Sequence, residues 1–152
     1  MTSQLNIKRI TEDDVDTLYE LMKSLAQYEG LEKFLTVSPE DLRISGFGKE
    51  PSWSGLFAYL DDKVIGYATY AYAFHMWSGT QRINLDDLFV SAEYRGHGAG
   101  EALMRAVFEI AQSQSMQVSW TVRPDNSKAI KFYKRLGANY SKIGKCIWSP
   151  EQ

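Results

Sequence analysis

The sequence predicts a mixed α/β (α+β) domain, a twisted β-sheet of mixed strand direction flanked by helices. Three observations predict it. Segments with strand alternation and segments with helical spacing interleave along the chain. Its middle holds consecutive β-forming runs joined by a short turn, which is a hairpin pattern. The 152 residues, 44% hydrophobic and 24% charged, suit one compact domain spanning 1–152 with a buried core, and they exclude disorder, collagen and coiled coil.

Each element has its own signal. Leu5, Ile7 and Arg9 read as a first strand. Thr11, with Asp14 three residues on, offers a helix cap, and Val15, Leu18, Met22 and Leu25 follow at helical spacing up to Gly30. Ser38-Pro39-Glu40-Asp41 starts a second helix, which must end by Gly46 or Gly48. Residues 55–60 and 64–74 read as strands about a turn at 61–63. A loop at 75–81 leads to a third strand in this run, 83–90. Residues 101–113 read as a helix, 117–122 as a strand, and Ser127 to Leu136 as a short helix stopped by Gly137. The tail, 139–148, reads as one or two final strands, with Cys146 as a small strand residue.

Composition narrows the function. Seventeen basic and 19 acidic residues leave a net charge of −2, which is not a nucleic-acid binder's positive surface. The one cysteine allows no intrachain disulfide and fits a reducing cytoplasm. The N-terminus lacks a signal-peptide apolar run, and no stretch approaches a membrane span. No His/Cys/Asp cluster has metal-ligand spacing.

The 83–90 strand breaks its own alternation. Ile83 and Leu85 share one face, but the apolar residues resume at Leu88, Phe89 and Val90. A β-bulge near Asp86–Leu88 gives such a slip; so does a strand end buried on both faces. Asp86 and Asp87 adjoin on this strand, so regular alternation turns only one toward a given cleft.

Tyr94-Arg95-Gly96-His97-Gly98-Ala99-Gly100 follows that strand and opens a helix. Glycines at alternate positions leave backbone N–H groups uncovered, and the helix N-terminus adds partial positive charge. Together they form an anion site suited to a pyrophosphate. Arg95 can add a charge-assisted contact, whereas His97 projects into solvent. The spacing is not that of a dinucleotide fold, and the Gly-Lys-Ser/Thr of a Walker loop is absent. A tight turn that merely needs glycine is the structural alternative.

Arg95-x-x-Gly98-x-Gly100 resembles the signature of the GCN5-related N-acetyltransferases. Residues 85–90 (LDDLFV), Asn126 and the block 132–138 (FYKRLGA) resemble other segments of that family. Within it, Ala26-Gln27-Tyr28-Glu29 and the run from Leu42 to Gly48 look most like the diamine (spermidine/spermine-type) and thialysine acetyltransferases. The resemblance covers about residues 5–148.

It implies an acetyl-CoA-dependent N-acetyltransferase acting on a primary amine of a small molecule, working as a homodimer. Acetyl-CoA would wedge between two splayed central strands, the one ending at Val90 and the one ending near Val122. Leu88, Phe89 and Val90 would pair with the pantetheine arm. Arg95, Gly96, His97, Gly98, Ala99, Gly100 and Glu101 would hold the pyrophosphate. Asn126, Ser127, Ala129 and Tyr133 would line the rest of the CoA site. Tyr28, Glu29, Trp77, Asp86, Asp87 and Trp120 would form the amine site. Three positions depart from the pattern. Asp86 is one methylene shorter than the family's glutamate, His75 replaces an acidic residue, and Leu136 stands where a CoA-facing arginine is expected.

The chemistry needs three services. A protonated amine must lose a proton, which Asp86 can take through water. The developing oxyanion needs a donor such as the Val90 N–H. The departing thiolate needs an acid, and the Tyr133 hydroxyl fits. Each residue has a plainer reading: Tyr133 as core of its helix, Tyr28 and Glu29 as an exposed helix end, His75 as a loop residue. Peptide N-acetylation and a non-catalytic acyl-CoA sensor are the alternative functions.

Overall fold

The computed structural model describes residues 2–150. Met1 and residues 151–152, the ends of the expected 1–152 domain, lie outside the described residues. Contacts gather in two compact units, one up to Trp120 and one from Thr121.

The first unit is built on a five-stranded sheet in the order β1 (Leu5–Arg9), β2 (Ser54–Leu60), β3 (Lys63–His75), β4 (Thr80–Val90) and β5 (Val118–Ser119). The first three pairings are antiparallel and β4–β5 is parallel, so the sheet is mixed as expected. Helices α1 (Val15–Glu29), α2 (Pro39–Phe47) and α3 (Ala99–Ser113) complete this unit.

The helix starts follow local chemistry. The Asp14 carboxylate accepts from both the N–H and the hydroxyl of Thr11, and a short 3₁₀ turn runs into α1. At α2, Ser38 Oγ accepts from the Asp41 N–H and Asp41 Oδ2 accepts from the Ser38 N–H, with Pro39 at the first helical position. Gly30 closes α1 at φ +68°, a left-handed conformation that glycine adopts without strain.

The central strands are buried on both faces. Phe57, Tyr67 and Phe89 are cross-strand neighbours on one face and pack with Val15 and Leu18 of α1 and Leu42 of α2. Tyr70, Leu85 and Ile83 lie on the other face, where α3 buries Leu103, Met104, Val107 and Ala111. Each buried Val, Leu, Ile, Phe or Met side chain among them contributes about 1.5–3 kcal/mol of apolar burial. Gly66 stands opposite Val90, and a Cβ there would come within 2.6 Å of the Phe89 carbonyl oxygen. The close approach of β3 to the end of β4 therefore requires glycine.

The second unit contains α4 (Ser127–Leu136). Asn126 Oδ1 accepts from the Ala129 N–H at its start, and Gly137 at φ +107° ends it.

Three expectations change. The 75–81 loop is shorter, because β3 runs through His75 and β4 begins at Thr80. The 117–122 strand shrinks to Val118–Ser119, since its pairing with β4 stops after Asn84↔Ser119. The 139–148 tail is no strand: none of its residues joins a ladder. Ile143, Ile147 and Trp148 are 80%, 74% and 90% exposed, so the apolar pattern there is not matched by burial. Cys146 is exposed in that irregular segment rather than seated in a strand.

Candidate active site

The site begins with the irregularity in β4. Thr69 pairs with Asp87 and Tyr70 pairs with Leu85, so Asp86 is the extra residue of a β-bulge. The bulge moves the apolar pattern from one face to the other. Leu85 shares a face with Tyr70, whereas Phe89 shares one with Tyr67. The bulge reading therefore holds, while at the strand's end Phe89 is buried on one face and Leu88 and Val90 are only half-buried on the other.

At the bulge the outer edge of β4 also loses its partner. The parallel pairing with β5 covers only Ile83 and Asn84, and from Leu85 to Val90 no described strand pairs on that side. The Ser91 N–H donates to the Ile65 carbonyl at 2.9 Å, toward β3. Across a trans peptide the Val90 carbonyl must then point the other way. It does so, accepting from Arg95 Nε at 3.0 Å. In extended backbone a residue's N–H follows its own carbonyl, so the Val90 N–H also faces the open edge. An unpaired edge that narrows to a parallel ladder is a slot for an extended ligand arm carrying amide groups.

The two acids differ. Asp86 is exposed, though enough protein surrounds its carboxyl to push it above the usual carboxylate range by loss of water. Asp87 is half-buried, and burial is again the main cause of a raised carboxyl. The Tyr67 hydroxyl donates to Asp87 Oδ2 at 3.2 Å and opposes that rise, while the Asp86 charge adds to it. Tyr67 is fully buried, and its hydroxyl is held protonated by that burial and by the Asp87 charge. The bulge also suspends the strict alternation that sets Asp86 and Asp87 on opposite faces.

The glycine turn follows β4. Gly96 and Gly98 take φ of +86° and +82°, and a Cβ on either would meet nothing within 4 Å. The space above the turn is open, and the positive φ values favour glycine. Gly98 caps α3 without a side-chain acceptor, so the amides of Ala99 and Gly100 begin a 15-residue helix uncapped from outside. Ala99 is buried, His97 is exposed, and Glu101 pairs with Arg105 at 3.3 Å. This is a cradle a pyrophosphate fits.

Arg95 turns back from that loop. Besides the bond to Val90, its guanidinium lies 4.3 Å from the centre of the Tyr28 ring and 5.9 Å from that of Phe89. Tyr28, near the end of α1, is thereby brought to the end of β4, and Glu29 follows it on the exposed last turn. Leu88 is half-buried in the bulged segment.

Trp77 is not brought to these groups within one chain. It is 97% exposed in the β3–β4 turn, and Thr80, the first residue of β4, is about 20 Å along the strand from Asp86. His75 ends β3 with Nδ1 2.8 Å from Ser78 Oγ. Trp120 is half-buried just past β5. In the second unit Tyr133 is half-buried beside Phe132, with ring centres 5.3 Å apart, and burial raises its hydroxyl above the ordinary tyrosine range. Asn126 spends one acceptor on the α4 cap, Ser127 opens that helix, and Leu136 is half-buried at its end.

Sequence reasoning missed Tyr67. It is one of nine tyrosines, in a run where β-formers crowd every position. The only available signal was a polar-tipped side chain midway along a strand otherwise suited to full burial. Among the described residues no group of three or more His, Cys, Asp or Glu is placed to hold a metal. No helix among them is long and apolar enough to cross a membrane.

Comparison with known proteins places the chain among acetyltransferases. The thialysine N-epsilon-acetyltransferase of Bos taurus is 33% identical over 141 residues, covering 87% of this chain and 82% of that protein. A spermidine/spermine N(1)-acetyltransferase-like protein 1 of Homo sapiens is 26% identical over 87% of this chain, which spans 20% of that longer protein. Among solved structures, a soil-metagenome aminoglycoside acetyltransferase in complex with sisomicin superposes with a TM-score of 0.82 at 17% identity, covering 95% of each chain. The aminoglycoside N-acetyltransferase AAC(6')-Iy, solved with CoA, gives 0.75 at 16% identity, covering 99% of this chain and 97% of its own. Members of this family draw their acyl group from acetyl-CoA. Residues 15–138 match the acetyltransferase (GNAT) family, and with the bulged, splayed β4 leading into the glycine cradle, the chain belongs to that family and is an acyltransferase.

Proposed function

We propose that this protein transfers the acetyl group of acetyl-CoA to a primary amine of a small molecule, with thialysine-like amino acids and diamines as the acceptor class. The observation that carries the reading is the end of β4. There one bulge sets two carboxyls beside an unpaired backbone edge that runs straight into an open glycine cradle. The names of the thialysine and spermidine/spermine relatives support the acceptor class. Residues 1–152 act as a single domain, working as a homodimer in the cytoplasm.

In this reading the amides of Ala99 and Gly100, with the Gly96–Gly98 turn, hold the pyrophosphate, and the backbone of Leu88 to Val90 pairs with the pantetheine arm. Asn126, Ser127 and Ala129 complete the CoA site. Tyr28, Glu29, Asp87 and Trp120 form the acceptor side. Acetyl-CoA supplies the acetyl group as a thioester; the N–C bond forms as the C–S bond breaks. Asp86 takes the amine proton through water, and a carboxyl raised above its usual range is better matched to that task near neutral pH. The Val90 N–H, aimed at the open edge, donates to the oxygen that gains charge. Tyr133, held protonated, returns a proton to the sulfur.

The test is acetyl-CoA turnover, read as free thiol, over a panel of thialysine, lysine analogues, diamines, polyamines, amino sugars and peptides. Thialysine or a diamine as the best acceptor is the expected result. A peptide as the best acceptor, or CoA binding with no turnover, overturns the reading.

A further inference from the structure

We propose that Tyr67 is a positioning residue of this site: its hydroxyl holds Asp87 Oδ2 from the core side, so that Asp87 is the fixed anion that draws in the protonated amine while Asp86 remains the proton acceptor. The inference rests on the acetyl-transfer reading and adds a residue to which that reading gives no role.

Tyr67 sits in the middle of β3 with no exposed surface, flanked by Phe57 on β2 and Phe89 on β4. Its ring centre is 6.1 Å from that of Phe89. In such a place a phenylalanine fills nearly the same volume and brings no polar atom that needs a partner. The hydroxyl is therefore not explained by packing. It is explained by Asp87, to which it donates at 3.2 Å across the strand pairing. A carboxylate is a stronger acceptor than a neutral group.

The two carboxyls are consequently not equivalent. Asp87 is inserted toward the core and gripped, whereas Asp86, the unpaired bulge residue, has no hydrogen-bond partner among the described residues and reaches solvent. Neighbouring acids in partly dry surroundings resist ionising together. The Tyr67 donor offsets part of the rise that burial and the Asp86 charge impose on Asp87, and so favours the Asp87 anion. The groups that bear on Asp87 are Tyr67 on β3 and Asp86 on β4. From α1 and α2 the core on this face receives Val15, Leu18, Met22 and Leu42, and its other titratable members are Tyr19 on α1 and Tyr59 on β2.

The test combines Tyr67→Phe, Asp87→Asn and the double variant in the full chain, with carboxyl ¹³C NMR titration and steady-state kinetics on thialysine. In Tyr67→Phe the Asp87 titration midpoint should rise by about one pH unit, the loss of one hydrogen bond to a charged group, and the Asp86 midpoint should move less. The amine KM should rise about tenfold with the acetyl-CoA KM within about twofold, and adding Tyr67→Phe to Asp87→Asn should leave the amine KM unchanged. A purely structural tyrosine would instead lower Tm and worsen both KM values together. Should Tyr67→Phe fail to fold, the Tyr67 ring-carbon shift in Asp87→Asn reads the same bond from its other end. An Asp87 midpoint that ignores Tyr67→Phe, or fully multiplicative kinetic effects in the double variant, overturns the proposal. A wild-type protein that acetylates no amine overturns the acetyl-transfer reading instead, and the titration still decides the role of Tyr67.

Discussion

The guanidinium of Arg95 lies over the Tyr28 ring at 4.3 Å while its Nε donates to the Val90 carbonyl at 3.0 Å, so one side chain ties the end of α1 to the end of β4. This use of the signature arginine differs from a phosphate contact. Lysine keeps the charge but cannot both stack flat and donate from a fixed fork. Arg95→Lys should lower kcat about tenfold, equivalent to about 1.4 kcal/mol. The acetyl-CoA affinity should stay within about threefold. Calorimetry beside steady-state kinetics checks it; an affinity loss larger than the kcat loss would return Arg95 to the phosphate.

Gly98 carries a second prediction. Its φ of +82° costs an L-residue about 1–2 kcal/mol, although no neighbour obstructs a side chain. Gly98→Ala should thus lose a few degrees of Tm and keep the fold. Gly98→Val adds bulk in the open space above the turn and should weaken acetyl-CoA binding more than about tenfold. Unchanged CoA affinity in a folded Gly98→Val protein would remove the phosphate from this turn.

For Tyr133 the expected effect is catalytic. Tyr133→Phe keeps the ring against Phe132 and removes only the hydroxyl. Single-turnover acetyl transfer should slow by roughly 100- to 10,000-fold, the ordinary range for a general acid. CoA binding should change by no more than one hydrogen bond, about 0.5–1.5 kcal/mol. A wild-type rate of transfer would leave Tyr133 as core.

Asp87 predicts a pH-dependent gain in stability. Burial raises its carboxyl in the folded protein above the value of about 3.9 it has when unfolded. The folded state therefore binds this proton more tightly. Stability falls as pH rises from the ordinary carboxylate range through the raised folded value, and the deficit persists above it. Asp87→Asn should raise Tm at pH 7, by about 2–4 °C for each kcal/mol recovered, with the gain shrinking near pH 3. Calorimetric scans at the two pH values check it; equal Tm changes at both would mean that ionisation is not the cause.

What the sequence revealed follows from how local each signal is. The caps at Thr11 and Ser38, the stops at Gly30 and Gly137, and the glycine turn need only neighbouring residues, and they stand where the pattern puts them. The slipped alternation from Ile83 to Val90 disclosed the bulge because a bulge rewrites periodicity within one strand. Pairing is different, since it depends on a distant partner. Residues 117–122 have strand composition, yet only Val118–Ser119 find β4 alongside. The 139–148 tail has apolar residues at strand spacing, yet they are exposed. Tyr67 stayed hidden for the same reason: its meaning lies in a residue 20 positions away across a ladder.

The bulge has one more consequence. Every other residue of the β4 segment that pairs with β3 has a cross-strand neighbour to satisfy, but residue 86 has none. Its side chain can change length or charge without re-registering the sheet, much as a spacer can be altered between two fixed frames. Deleting it, by contrast, would close the ladder into a regular one, in which Leu85 and Asp87 become adjacent and keep their present faces while the bulge and its acid are lost. On the proposed mechanism, exchanging Asp86 for glutamate moves the reach of the proton acceptor by one methylene without shifting the register of the strand.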